Sequence, residues 1–260
     1  MKGVRRLVRR RTVLAAAVAL ALARLAARGG TEARAQTPAP RYRVLAFSRT
    51  TGFRHDSIAD AIASIQALAG QNGFAVDATE DPGAFIDDNL AQYGAVIFLL
   101  TTGHILDDSQ QTAFERYIAA GNGFVGIHSA SDTEYDWAWY GGLVGAYFAS
   151  HPDIQQATIR RENTEHPSTV LLPDLWVRVD EWYNFRTNPR DTTDIRVLAS
   201  LDESTYSGGT MGDHPIAWFH SYAGGRAWYT AGGHTTESYS EPLFLAHLLG
   251  GIEYAAGSSA

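Results

Sequence analysis

Apolar and polar positions follow two different rhythms along this chain. In the first half, short apolar runs lie at residues 42–47, 74–79, 94–100 and 124–127. A continuous apolar run bounded by turn residues suits a parallel strand covered on both faces. Between the runs the rhythm becomes that of a helix. Ile58, Ile62, Ile65 and Ala69 share one face, which predicts a helix over 57–69. Asp56 or Ser57 can cap it, and Gly70 and Gly73 close it. A second helix is predicted over 107–120, with Phe114, Tyr117 and Ile118 turned inward and Gly121 as its stop. Strands and helices alternate as in a doubly wound sheet. In the second half, 154–161 and 195–201 read as strands, and 214–222 and 226–231 form a hairpin around Ala223-Gly224-Gly225. Residues 242–256 read as a closing helix. The prediction is one α/β domain: a mostly parallel sheet flanked by helices, with a β-rich C-terminal half.

The opening residues do not belong to this pattern. Residues 1–35 begin with Arg and Lys, continue with an apolar run at 13–23 and end at Ala33-Arg34-Ala35. That is the layout of a signal peptide with its cleavage site. The apolar run is far shorter than the ~20 residues of a spanning helix, so no stable membrane insertion is expected after cleavage. Arg10-Arg11-Thr12-Val13-Leu14 resembles a twin-arginine signal. The expected location is periplasmic or secreted. Composition narrows the class further. The 260 residues include no cysteine, which excludes thiol nucleophiles, thiolate zinc sites and iron–sulfur ligation. The formal net charge is −7, but nine of the 21 Lys/Arg and only one of the 28 Asp/Glu precede Gln36, so the chain from Gln36 onward carries −15. So acidic a surface argues against nucleic acid or an anionic membrane as partner. Aromatic residues in polar, loop-like segments point instead to a small-molecule carbohydrate.

In an open parallel sheet, ligands sit beyond the carboxyl ends of the strands. Four histidines fall just past predicted strands: His55, His104, His128 and His234. His128 stands directly at a strand end, where a polar ring needs a partner. The same loops bring Thr102, Asp132, Tyr135, Asp136 and Trp137. His234 sits in a Gly-Gly-His turn that lets a ligand approach closely, and Glu237 follows it. Glu181-Trp182-Tyr183-Asn184-Phe185 reads either as a half-buried strand or as a sugar-binding wall. In the second reading aromatic faces meet C–H surfaces, and the carboxylate and amide bind hydroxyls. His214 precedes a proline, which fits a rigid turn as well as a ligand contact. His104, beside Asp107 and Asp108, reads as a solvated loop residue.

These pieces resemble the ThuA-like family, named for trehalose utilisation. The resemblance is carried by FRHDSI at 53–58, GIHSASDTEYDW at 126–137, DEWYNF at 180–185, HPIAW at 214–218, GHTTESY at 233–239 and HLLGGI at 247–252. It implies a domain over 41–257 with a flavodoxin-like fold similar to class I glutamine amidotransferases. In that comparison His128 falls at or near their Cys, and His234 and Glu237 loosely echo their His and Glu. Without a Cys, amidotransferase chemistry is excluded. Ser129 is a poor nucleophile candidate, because it sits one place late for G-x-S-x-G. The resemblance and the residue chemistry together imply an exported carbohydrate-active enzyme performing a lyase, isomerase or hydrolase step on a sugar or keto-sugar. The candidate catalytic residues are His128, His234, Asp132 and Glu181. The candidate substrate contacts are His55, Thr102, Tyr135, Asp136, Trp137, Trp182, Tyr183, Asn184, His214 and Glu237. Two chemistries stay open. A divalent metal such as zinc could be held by His128, His55, His234 and Glu181, or the histidines could act as acid and base without metal. The alternative function is a non-catalytic sugar-binding module of a periplasmic carbohydrate-utilisation system.

Overall fold

The structure, a computed structural model, describes residues 39–258; the signal peptide expected at 1–35 lies outside them. The chain runs β1 (Arg43–Phe47), α1 (Ile58–Asn72), β2 (Ala75–Thr79), α2 (Asp87–Leu90), β3 (Ala95–Leu99), α3 (Asp108–Ala119), β4 (Gly123–Ile127) and α4 (Ala138–Val144). It continues through β5 (Phe148–Ser150), β6 (Gln155–Arg161), β7 (Leu175–Asp180), β8 (Asn184–Phe185), β9 (Arg196–Leu201), β10 (Pro215–Tyr222), β11 (Gly225–Thr230) and α5 (Pro242–Ala255). Among the described residues nine strands form one sheet in the order β2-β1-β3-β4-β11-β10-β9-β6-β7. Neighbours from β2 to β11 are parallel. From β11 to β7 they form an antiparallel wing. Among the described residues no helix is long and apolar enough to cross a membrane.

Helices cover both faces of the parallel part, which is why β3 is apolar and buried along its whole length. On one face, rings from β3, α3, β4 and α4 pack together: the touching pairs among Phe98, Phe114, Phe124 and Tyr140 lie 5.3–6.3 Å apart, centre to centre. Gly123 points the other way, toward α5. A Cβ there would lie 2.1 Å from Ala255 O, so α5 approaches β4 this closely only because no side chain intervenes. The chain reverses direction across the sheet at β1, with β2 on one side and β3 on the other, and ligands of such sheets bind at that switch point.

The wing brings a distant strand to the same rim. β7 runs parallel to β11 but stands four places away. In a flat sheet the two would be about 19 Å apart. The wing curls instead, and Asp180 at the end of β7 accepts from the N–H groups of Gly233 and His234, just past β11, at 2.8 and 3.0 Å.

Some elements depart from expectation. Ser57 makes no side-chain cap for α1; its hydroxyl reaches Gly233 O at 3.5 Å instead. Gly70 lies inside α1, and Gly73, left-handed at φ 72°, ends it by donating to Ala69 O. The 107 boundary is physical: Asp107 and Gln110 form a reciprocal capping box at the start of α3. β7 escapes the sequence pattern because its polarity is inverted. Leu175, Val177 and Val179 are exposed, while Arg178 and Asp180 are buried. The segment 181–185 yields only the two-residue β8, paired with β5.

Candidate functional site

Four chain segments converge beyond the carboxyl ends of the strands. The chain leaves β4 through a 3-10 turn that begins at His128. His128 adopts the left-handed region at φ 51°, which costs a non-glycine residue roughly 1–2 kcal/mol. Its carbonyl accepts from the Tyr229 hydroxyl at 2.8 Å, and its ring Nδ1–H donates to Ala231 O at 2.7 Å. A carbonyl only accepts, so Nδ1 carries a proton and Nε2 is the ring nitrogen turned toward the site. Nε2 faces His234 Nδ1 at 3.2 Å and Glu181 Oε2 at 3.4 Å.

One buried carboxylate delivers both of those neighbours. Asp180 accepts from the N–H of Glu181 at 3.0 Å as well as from Gly233 and His234, and pairs with Arg178 Nη1 at 3.0 Å. Gly233 has φ 111°, and a Cβ there would lie 2.7 Å from the Tyr239 hydroxyl, so this turn needs glycine. The turn sets His234 Nδ1 3.1 Å from Glu181 Oε2. The other oxygen, Oε1, is 3.0 Å from His151 Nδ1. His55, buried in the loop after β1, completes the group. Its ring lies 4.9 Å from those of His128 and His234, edge to face. One donor atom from each of His55, His128, Glu181 and His234 lies within 4.8 Å of the others.

The electrostatics match this geometry. Burial drives the His55 pKa down to about 3, helped by the neighbouring His128 and His234, so the ring is neutral with a lone pair free. Burial pushes Glu181 upward, but hydrogen bonds with His128 and His234 outweigh it and hold the carboxyl below its usual range. For His234, burial works downward and the Glu181 carboxylate reverses it, so its pKa is raised. Three donor separations, 3.1, 3.2 and 3.4 Å, match the about 3.3 Å edge of a ligand tetrahedron around zinc. The bond from His128 Nδ1–H to Ala231 O is the kind that orients a ligating imidazole. Three imidazoles and a carboxylate in this arrangement could hold a metal.

Beside them opens a cleft of about 180 Å³, lined by His55, Glu181 and His234, by the rings of Phe53, Phe148 and Tyr183, and by Asp132 and His151. Tyr183 packs 4.2 Å from the His128 ring and 4.3 Å from Phe148. Asp132 accepts from the Tyr135 hydroxyl at 2.6 Å. Burial raises its pKa in spite of that bond.

Other residues singled out in the sequence lie away from the cleft. Trp182 is fully buried and donates its indole N–H to Gln155 O. It faces the core because successive residues of an extended segment point opposite ways, and Tyr183 has the cleft side. Asn184 is buried against Gly208 O and the Thr210 N–H. His214 sits behind Tyr183: its Nε2–H donates to Tyr183 O at 2.8 Å, and Nδ1 meets Glu203 Oε1 at 2.7 Å. Thr102 donates to Phe53 O and shapes that loop. Asp136 is exposed and meets His104 at 3.3 Å. Trp137 stacks on Trp139 and Tyr140. Glu237 is exposed and accepts from Thr236. Sequence reasoning missed Phe148 as a cleft residue and Asp180 and Arg178 as supports, and left His151 open between a rigid turn and a ligand contact. The signal at His151 was a histidine before proline, like His214.

Comparison with known proteins agrees with this fold. The sequence profile of the ThuA family, described as trehalose utilisation, matches residues 43–255. No curated protein matches the sequence. Among solved structures, a ThuA-like protein from Bacteroides uniformis ATCC 8492 aligns with a TM-score of 0.71 at 27% identity, over 84% of this chain and 92% of that one. A ThuA-like protein from Parabacteroides merdae ATCC 43184 gives 0.70 at 20% identity, over 85% and 91%. A β-galactosidase from Bacillus circulans sp. alkalophilus shares the fold alone, with a TM-score of 0.54 at 14% identity over 83% of this chain and 31% of that one. The profile spans almost the entire folded part, and the chain therefore belongs to the carbohydrate-related ThuA family, with its flavodoxin-like α/β fold.

Proposed function

We propose that this protein is an enzyme that holds a divalent metal, zinc, between His55, His128, His234 and Glu181. Its substrate is a keto-sugar bound in the adjoining cleft, and its reaction is an isomerase or lyase step that begins by removing the proton next to the carbonyl. The observation that carries this reading is the spacing of three donors at 3.1–3.4 Å, with the neutral His55 ring beside them. A bound metal supplies Lewis acidity, which makes the C–H next to a sugar carbonyl more acidic. The remaining work falls to the chain. Phe53, Phe148 and Tyr183 offer rings to the C–H faces of a sugar. Asp132 lines the cleft with Oδ2 free of protein hydrogen bonds among the described residues, and takes the proton. His151, on the cleft wall beside Glu181, binds a hydroxyl. The family's link to trehalose use supports the substrate class. The leader at 1–35 supports export to the periplasm or beyond, by a twin-arginine route that carries a folded, metal-loaded protein.

Metal analysis tests the reading. The protein is exported through its own signal, purified without chelator and analysed by mass spectrometry beside His128→Ala. Stoichiometric zinc in the wild type, its absence in the variant and metal-dependent turnover of keto-sugars are expected. A well-folded wild type that neither contains nor takes up a divalent ion would sink the metal site.

A further inference from the structure

Six of the eight large apolar side chains exposed among the described residues are Ile154, Val170, Leu171, Leu175, Val177 and Val179. They belong to β7, to the turn leading into it and to the residue before β6. Among the described residues β7 ends the sheet, with β6 on one side and no strand on the other. Leu175, Val177 and Val179 are 55, 54 and 51% exposed, while Trp176, Arg178 and Asp180 face inward. The backbone is divided in the same way. Asp174 O accepts from the Arg161 N–H, on the β6 side. Bonding alternates residue by residue in an antiparallel ladder. The even-numbered residues of β7 therefore bond to β6, and the N–H and C=O groups of Leu175, Val177 and Val179 point out from the free edge. The usual edge guards are missing, since 175–179 has no Pro, no Lys, no outward charge and no bulge. The opposite edge, β2, carries Asp77 paired with Arg43.

We propose that β7 pairs antiparallel with β7 of a second copy of this chain, across a two-fold axis at Val177. That register sets Val177 against Val177 and Leu175 against Val179, with all three outward residues exchanging backbone hydrogen bonds. A strand whose apolar row and free backbone groups coincide is complementary to itself about a two-fold axis, as a closed homodimer requires. Charge favours the same contact. The chain from Gln36 onward carries −15, so two copies repel over most approaches, and the outward row of β7 has no carboxylate on it. The contact is small, below the roughly 1,200 Å² of a stable interface, so the dimer is weak, with a Kd on the order of 10–100 µM.

Sedimentation equilibrium across and above that concentration range tests the pairing. The wild type should pass from monomer to dimer. Val177→Lys, checked for folding by circular dichroism, should stay monomeric throughout. Ile86→Lys, at an exposed apolar position away from β7, should behave as wild type. A wild type that remains monomeric, or a dimer that survives Val177→Lys, overturns the proposal.

Discussion

Replacing Asp180 with Asn turns one oxygen into an NH2 and removes one charge, and the consequences can be followed bond by bond. Oδ1 accepts from the N–H of Glu181 and His234. Oδ2 accepts from Gly233 N–H at 2.8 Å and Ser238 Oγ at 3.3 Å, and meets Arg178 Nη1 at 3.0 Å. Either orientation of the amide turns its NH2 toward groups that are themselves donors. Each buried donor left without an acceptor costs about 1–3 kcal/mol. Arg178 also loses a buried counter-charge, and breaking such a pair costs about 3–5 kcal/mol. Arg178 keeps Glu241 at 3.0 Å, which pulls the total toward the lower end, about 3 kcal/mol. For a domain of this size that lowers Tm by about 6–12 °C. Because the same carboxylate fixes Glu181 and His234, zinc affinity should fall with stability. Thermal and urea unfolding by circular dichroism, together with a zinc titration, read both effects. A Tm within about 2 °C of wild type, with unchanged zinc uptake, would refute the view that Asp180 holds the site together.

Two further outcomes are expected. Burial pushes the His247 pKa down to about 3, whereas in the unfolded chain the ring titrates near 6.5. The unfolded state therefore binds the proton first as pH falls. The stabilisation is full above about pH 6.5 and is lost below it at up to about 1.4 kcal/mol per pH unit, down to about pH 3. Urea unfolding between about pH 7 and 5 should give a slope in His247→Gln that is shallower than wild type by up to that amount; parallel slopes would contradict it. Trp182→Phe removes the indole hydrogen bond to Gln155 O, a loss of about 0.5–1.5 kcal/mol of stability, while zinc content and keto-sugar turnover stay at wild-type levels. Lost turnover with stability intact would return Trp182 to the cleft.

Local pattern was enough for the parallel half of the fold. Unbroken apolar runs mark β3 and β4, and helical spacing marks α1 and α3, because an element buried by its immediate chain neighbours writes its burial into its own sequence. The family was legible for the same reason, in short contiguous motifs such as GIHSASDTEYDW and GHTTESY. The sequence also marked His55, His128, Glu181 and His234 one by one, three of them as residues that follow a strand. The strand-end rule and the family resemblance grouped them as one possible ligand set, but the sequence carried no distances between them. Residues 55, 128, 181 and 234 meet through the strand order and through the curl that carries β7 back to β11, and no local period encodes a long-range contact. Two details show the limit. β7 buries Arg178 and Asp180 and exposes three aliphatic side chains, so its alternation runs against the usual sense until Gly233 and His234 are seen bonding to Asp180. Along 181–185, alternation alone leaves two choices of face. Only the packing behind Trp182 and the ring of His128 beside Tyr183 decide which aromatic enters the core and which lines the cleft, because the direction of a side chain is set by what the rest of the chain packs around it.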